Sequence, residues 1–425
     1  MNKEEALEKI FELTPHLFRT KEFVPGEDFV YTGWAIYDFK ELNAILESVI
    51  SGRLGWSKIG EEFERKFSTY LNRNKTLAVN SGSSASFLSV IAAKNFYDLK
   101  KGDEIITPAC GFPTTVNPII QAGLTPHFVD IDETMSISPR SLEKAINSKT
   151  KGIIFAHTLG NPAKMEEIMS LARANNLFVI EDCCDAYGAL YQGKKVGTFG
   201  DVALASFYPA HGITLGGEGG SISLDNPEMH KILRSLRDWG RDCHCMAGQD
   251  NACGKRFNYT LKGIPWDHKY LFSNLGYNLK PTEMQAAFGL EQLKRLENLN
   301  EKRRENFKLY SDRLKGLQNF LKGPEIHPHA EPVFFGYPLE IINSSCNRED
   351  LVRYLNEKKI GTRFLFGGNL TYHPAYANVN FKVQKDLTRT NLVTENLFWM
   401  GIHPGMGEGE IDYIGSVLED YFKLR

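Results

Sequence analysis

The 425-residue chain predicts an α/β protein: a large, mostly parallel sheet covered by helices, then a smaller α+β unit. Three observations carry this. Short apolar, β-rich runs alternate with helical patterns between about residues 75 and 225. Such alternation gives parallel strands joined by helical crossovers. Several runs end in small or acidic residues, where parallel sheets bind their ligands. After residue 226 the alternation stops and the texture changes.

In order, "KTLAVNSG" reads as a strand ending in a small-residue turn, and "SASFLSVIAAKNFY" as the helix behind it. "DEIITPA", "TPHFVDID", "KGIIFAHTLG", "LFVIEDCCDA" and "VALASFYP" read as further strands, with "KMEEIMSLARANN" among the intervening helices. "PEMHKILRSLRDWGR" is helical, residues 241 to 270 are loop-rich, and the stretch from 282 to 314 is one long amphipathic helix or two in series. "VFFGYPLEII" and "REDLVRYLNEKKI" predict the smaller unit. The expected division is 1–295 for an N-terminal arm and large domain, and 296–425 for the small one.

Fifty basic against 52 acidic residues leave no electrostatic signature for nucleic acid or an anionic membrane. The charged start "MNKEEALEKIFEL" lacks a secretory core, and no apolar run is long enough to span a bilayer. The expected location is the cytoplasm, where seven cysteines read as thiols or ligands rather than disulfides.

Four segments point to chemistry. "NSGSSAS", between strand and helix, brings backbone N–H groups together as a phosphate cup or a plain N-cap. Asp182 in "FVIEDCCDAYGA" ends a strand, where a carboxylate can hold a cationic ring nitrogen, a metal or a helix cap. Phe112 sits in a Gly/Pro-bounded loop, free to stack on a flat ring or to join the core. Cys243, Cys245 and Cys253 fall within eleven residues of a hydrophilic loop at about 241–256, a soft-ligand cluster for zinc or iron–sulfur. A fourth ligand must come from elsewhere, and Cys184, two residues past Asp182, is the candidate.

Together with "GWSKIGEEFERKFSTYL", "FGDVALASFYPAH", "GEGG" and "LGYNLKPTEMQAAFGL", these segments resemble the DegT/DnrJ/EryC1/StrS family over nearly the whole chain. The resemblance implies an aspartate-aminotransferase-like fold of type I that binds a pyridoxal-type cofactor. In it Gly82, Ser83, Ser84 and Ser206 would hold the phosphate, and Asp182 the pyridine nitrogen. Phe112 would stack on the ring, and Asn278 would reach the phosphate across a homodimer interface.

One departure decides the expected activity. The family's aminotransferases carry a lysine six positions into the "SF" motif, where this chain has His211. Asp185 and Tyr208 also replace residues common in the aminotransferases. This combination resembles the 3-dehydrases of deoxysugar biosynthesis, in particular iron–sulfur enzymes acting on a CDP-4-keto-6-deoxyhexose. That implies pyridoxamine 5'-phosphate, or non-covalent pyridoxal 5'-phosphate, with His211 as base. It also implies a [2Fe–2S] cluster on Cys184, Cys243, Cys245 and Cys253, and an NAD(P)H-dependent flavin or iron–sulfur reductase as partner. The alternatives are a cluster-independent, glutamate-coupled dehydratase of the GDP-4-keto-6-deoxymannose type, and a non-catalytic relative that keeps the cofactor. "HGITLGGEGG" is one glycine longer than the dehydrases' motif, a difference the residues alone do not explain.

Overall fold

The computed structural model describes residues 2–18, 22–245 and 249–423. Its main sheet contains β1 (Lys75–Val79), β2 (Glu104–Pro108), β3 (Thr125–Val129), β4 (Thr150–Ala156), β5 (Phe178–Asp182), β6 (Val202–Ser206) and β7 (Gly220–Leu224). The smaller sheet is built from β8 (Leu321–Lys322), β9 (Gly336–Ile341), β10 (Thr362–Phe364) and β12 (Leu397–Gly401), while β11 (Lys382–Val383) joins the main one. The eight-stranded order is β1-β7-β6-β5-β4-β2-β3-β11.

All six strands expected between residues 75 and 206 are present. β2 through β6 run parallel to their sheet neighbours among one another. β2, β5 and β6 are buried along their whole length, as strands covered on both faces must be. β7 is the strand that the apolar pattern missed. Its serines are buried, and Ser223 shares a 2.7 Å hydrogen bond with Thr76 on β1. No helix separates β6 from β7, so the chain turns straight back and β7 pairs antiparallel on both sides.

Four helices matter for the site: α1 (Lys58–Leu71), α2 (Gly82–Phe96), α3 (Pro113–Gln121) and α4 (Glu283–Arg313). The sequence left open one long helix or two in series, and α4 is one 31-residue helix. It runs through position 295 and links two cores. Leu296 and Leu299 pack with Phe63 and Phe67 of α1, whereas Tyr310 packs with Phe398 and Met400 of the small sheet. Among the described residues no helix is long and apolar enough to cross a membrane.

The end of β5 is fixed by a buried carboxylate. Glu181 accepts the backbone N–H groups of Gly197, Phe199 and Gly200 at 2.8, 2.8 and 2.6 Å. His157 Nδ1 accepts from the amide of Ala163, so its Nε2 carries the proton that faces Glu181 at 3.2 Å. His157, Glu181 and Cys183 bring ligand-type atoms within 4.8 Å of one another, but these hydrogen bonds already use the carboxylate and the imidazole. The trio is a structural lock. Burial works to raise the Glu181 pKa, but the His157 contact and the amides hold it below the ordinary glutamate value.

A depressed folded-state pKa contributes stability above the ordinary carboxylate range that disappears as pH falls through the lowered value. Glu181→Gln is expected to lower unfolding stability at neutral pH by about 2–3 kcal/mol. It should also flatten the acid limb of stability against pH. Denaturant titrations across a pH series check this, and an unchanged neutral midpoint would refute it.

Candidate active site

The expected site segments converge at the carboxyl edge of the main sheet. β1 runs into α2 through Ser81, whose Oγ accepts the Ser84 amide at 3.1 Å. That cap satisfies one amide of the first turn and leaves those of Gly82 and Ser83 directed to the helix end. Ser206, the last residue of β6, lies directly against this turn: a Cβ on Gly82 would come 2.6 Å from Ser206 Cβ. Ser206 is buried, with its Oγ accepting the Tyr208 amide at 3.4 Å. Backbone donors and a hydroxyl thus share a cradle that any side chain on residue 82 would fill.

Asp182 ends β5, only 7% exposed. Its Oδ2 accepts the Thr115 hydroxyl at 2.9 Å and its Oδ1 the Cys184 amide at 3.1 Å. Both contacts aim the carboxylate without neutralising it, which leaves it suited to a cationic ring nitrogen. Thr115, in the first turn of α3, was not read from the sequence; its signal was a hydroxyl three residues past Phe112. Phe112 caps α3 and is 53% exposed, its ring edge-on to Phe366 at 6.0 Å. That exposure settles the choice left open: Phe112 faces open space rather than the core.

His211 lies across the same edge. Its Nδ1 is 3.3 Å from Asp185 Oδ1, a close polar contact rather than an in-line hydrogen bond. Asp185 is held in turn by the Leu159 amide on Oδ2, at 3.2 Å. With Nδ1 facing a carboxylate, Nε2 is the nitrogen left to exchange protons. The ring rests on Phe335, with centroids 5.2 Å apart, and near exposed Tyr208 at 6.4 Å.

Two residues that sequence reasoning missed hold this loop. The Tyr187 hydroxyl accepts the Ile213 amide at 2.8 Å and lies 3.2 Å from the carbonyl oxygens of Ser206 and Ile213. Burial pushes its phenol well above the ordinary range, so it stays a protonated donor. Arg303 of α4 donates from Nη2 to the His211 carbonyl at 3.0 Å. Burial brings its guanidinium down to about 10, opposed by Tyr187 and Asp185. Periodicity could mark these two as inward-facing, not as contacts of a loop distant in sequence.

The glycines after His211 also find their reason. Gly216, Gly217 and Gly219 all have positive φ, and Gly220 packs so tightly that a Cβ would stand 2.3 Å from the Ser81 carbonyl oxygen.

Cys243, Cys245 and Cys253 line one cleft with Asn251, Arg256, His268 and Lys269. Each sulfur faces a backbone N–H: Cys245 to Cys243 at 3.4 Å, Ala252 to Cys245 at 3.3 Å, and Lys255 to Cys253 at 3.4 Å. Such donors suit thiolates or metal-bound sulfur. Cys184, the expected fourth ligand, has other neighbours. It lines no part of this cleft but sits beside Asp182 and Asp185, and burial, then Asp182, keeps its thiol well above the ordinary pKa. Residues 246–248 of this loop lie outside the described residues. Asn278 is exposed, its backbone bridged to Asp238.

The profile of the DegT/DnrJ/EryC1/StrS aminotransferase family matches residues 37–419. The lipopolysaccharide biosynthesis protein RfbH of Salmonella typhimurium is 45% identical over 95% of this chain and 94% of that protein. A dTDP-4-dehydro-2,6-dideoxy-D-glucose 3-dehydratase of Saccharopolyspora spinosa is 41% identical over 94% of this chain and 88% of that protein. A crystal structure of GDP-4-keto-6-deoxymannose-3-dehydratase with a trapped PLP–glutamate geminal diamine superposes with a TM-score of 0.83, at 29% identity, over 91% of this chain and all of that one. The fold is that of the aspartate-aminotransferase-like, type I enzymes, and the chain belongs to the DegT/DnrJ/EryC1/StrS aminotransferase family.

Proposed function

We propose that this chain is a dehydratase that removes the 3-hydroxyl of a nucleotide-linked 4-keto-6-deoxyhexose, with pyridoxamine 5'-phosphate or non-covalent pyridoxal 5'-phosphate as cofactor. The observation that carries this reading is His211, backed by Asp185, at the position where the family's aminotransferases keep a lysine.

The cradle at Gly82, Ser83, Ser84 and Ser206 fits a phosphate. Asp182 fits a protonated pyridine nitrogen, and exposed Phe112 fits the ring face. Asn278 would join from a second copy in a homodimer. Without the lysine, retention rests on charge-assisted hydrogen bonds of about 1.5–3 kcal/mol each and stacking of about 0.5–1.5 kcal/mol. When bound, the cofactor supplies an amine for the 4-keto carbon and a ring that withdraws electrons. Asp182 keeps the ring nitrogen protonated. Asp185 holds His211 Nδ1, so Nε2 takes the proton from the carbon beside the amine. The same Nε2–H then protonates the departing 3-hydroxyl, which leaves as water. Tyr208 and Phe335 border the ring of His211. A lysine could attach to the cofactor; a histidine only moves protons.

The similar structure carrying a PLP–glutamate adduct supports a cluster-independent route, in which glutamate restores the amine. One observation favours a second reading. Three cysteines share a cleft with N–H donors to each sulfur, which fits three ligands of a [2Fe–2S] cluster fed by an external reductase. That reading goes with a CDP-linked substrate and 3,6-dideoxyhexose synthesis. Exposed Arg363 is a cation available to the nucleotide's diphosphate in either case.

Three outcomes test the proposal. Anaerobically purified protein should turn over an NDP-4-keto-6-deoxy sugar with glutamate and no iron; about two irons per chain and dependence on a reductant would move the assignment to the second reading. His211→Lys should lose dehydration and gain covalent, borohydride-reducible cofactor attachment, and full dehydratase activity in that variant would sink the role of His211. Ser206→Ala, which deletes one donor and adds no bulk, should weaken cofactor binding about tenfold in absorbance titrations while the unfolding midpoint holds; undiminished affinity would remove the phosphate from this residue.

A further inference from the structure

The segment from Phe29 to Tyr37, "FVYTGWAIY", contains no charged residue and four aromatics. It is pinned at Val30 and at Gly33. Val30 exchanges backbone hydrogen bonds with Lys359 and Gly361 at 2.8 Å each. Three residues later it crosses the His211 loop so closely that a Cβ on Gly33 would stand 2.9 Å from Ala210 Cβ. Around these pins Phe29, Tyr31 and Trp34 form a ring-to-ring row, with centroids 5.0 and 4.9 Å apart. They remain 41%, 48% and 52% exposed.

Three consecutive half-open aromatics cost burial that folding would otherwise collect, and their position identifies what covers them. Trp34 lines the same cavity as His211, together with Ala35, Ile36, Pro209 and Gly212. At the other end, Phe29 packs against Gly361, where a Cβ would lie 3.1 Å from its ring. Exposed Arg363 follows two residues later on β10, and Phe366 beyond it touches Phe112. A cation therefore stands on the strand segment between the aromatic row and the ring-stacking phenylalanine.

We propose that this strap is the nucleotide-sugar subsite: Trp34 packs on the hexose, Arg363 meets the diphosphate, and Tyr31 and Phe29 stack on the base. The inference rests on the dehydratase reading and extends it to how the substrate is held. Aromatic faces stack on any base, so the strap supplies affinity rather than choice of nucleotide. An uncharged strap also brings no carboxylate against the diphosphate.

Calorimetry on cofactor-loaded protein tests it, with CDP, GDP and dTDP as probes, then the matching nucleoside-diphosphate hexose lacking the 4-keto group. Tyr31→Ala should weaken the best nucleoside diphosphate about tenfold or more. Phe29→Leu, which keeps apolar volume but loses the π face, should act in the same direction and guards against a folding defect. Trp34→Ala should leave the nucleoside diphosphate unaffected and weaken only the hexose-bearing probe. Cofactor absorbance should be unchanged in all three. Equal affinity in wild type and variants, or a changed oligomeric state at constant affinity, overturns the strap while the dehydratase reading stands. Wild-type protein that binds none of the probes overturns the dehydratase reading itself.

Discussion

At the edge of the main sheet one contact has no room for a side chain. Gly82 opens α2 and Ser206 closes β6, and the absence of a single Cβ lets them meet. Gly220, at the start of β7, presses on the Ser81 carbonyl from the same side. Every functional group is placed relative to this contact. β1, β6 and β7 are neighbours in the sheet order, so the cradle is as rigid as the sheet. Asp182, on the next strand over, faces it at fixed register because β5 pairs directly with β6. The sheet thus sets the span between the backbone donors of the turn and the carboxylate in advance, and such preorganisation lowers the ordering cost of binding.

His211 is held differently. Its loop belongs to no strand, yet it is tied from three sides: Asp185 at the ring, Tyr187 at the flanking carbonyls and Arg303 at its own. Tyr187 and Asp185 come from the turn after β5, and Arg303 comes from a helix about ninety residues away in sequence. The base role proposed for His211 needs such external ties, since loops do not hold geometry by themselves.

How much of this was legible follows from what carries each signal. Strand and helix alternation is written in local apolar periodicity, so six strands were readable and β7, with its buried serines, was not. Asp182, Phe112 and His211 were readable because motif order and strand ends mark them. Thr115, Tyr187 and Arg303 were not, because their roles arise from contacts between segments that only folding brings together. The cysteine set divides on the same line. The three clustered in sequence share a cleft, but Cys184, assigned by its place next to Asp182, lies with the carboxylates.

The glycine that makes the loop after His211 one residue longer has a consequence for how such loops diversify. At Gly217 the backbone adopts φ +133°, and the space where a side chain would project is empty. Upstream the Thr214 hydroxyl accepts the Gly217 amide, and downstream β7 pairs with β1. This bend works as an expansion joint. With its two ends held and open space between them, this stretch has room for a glycine more or less.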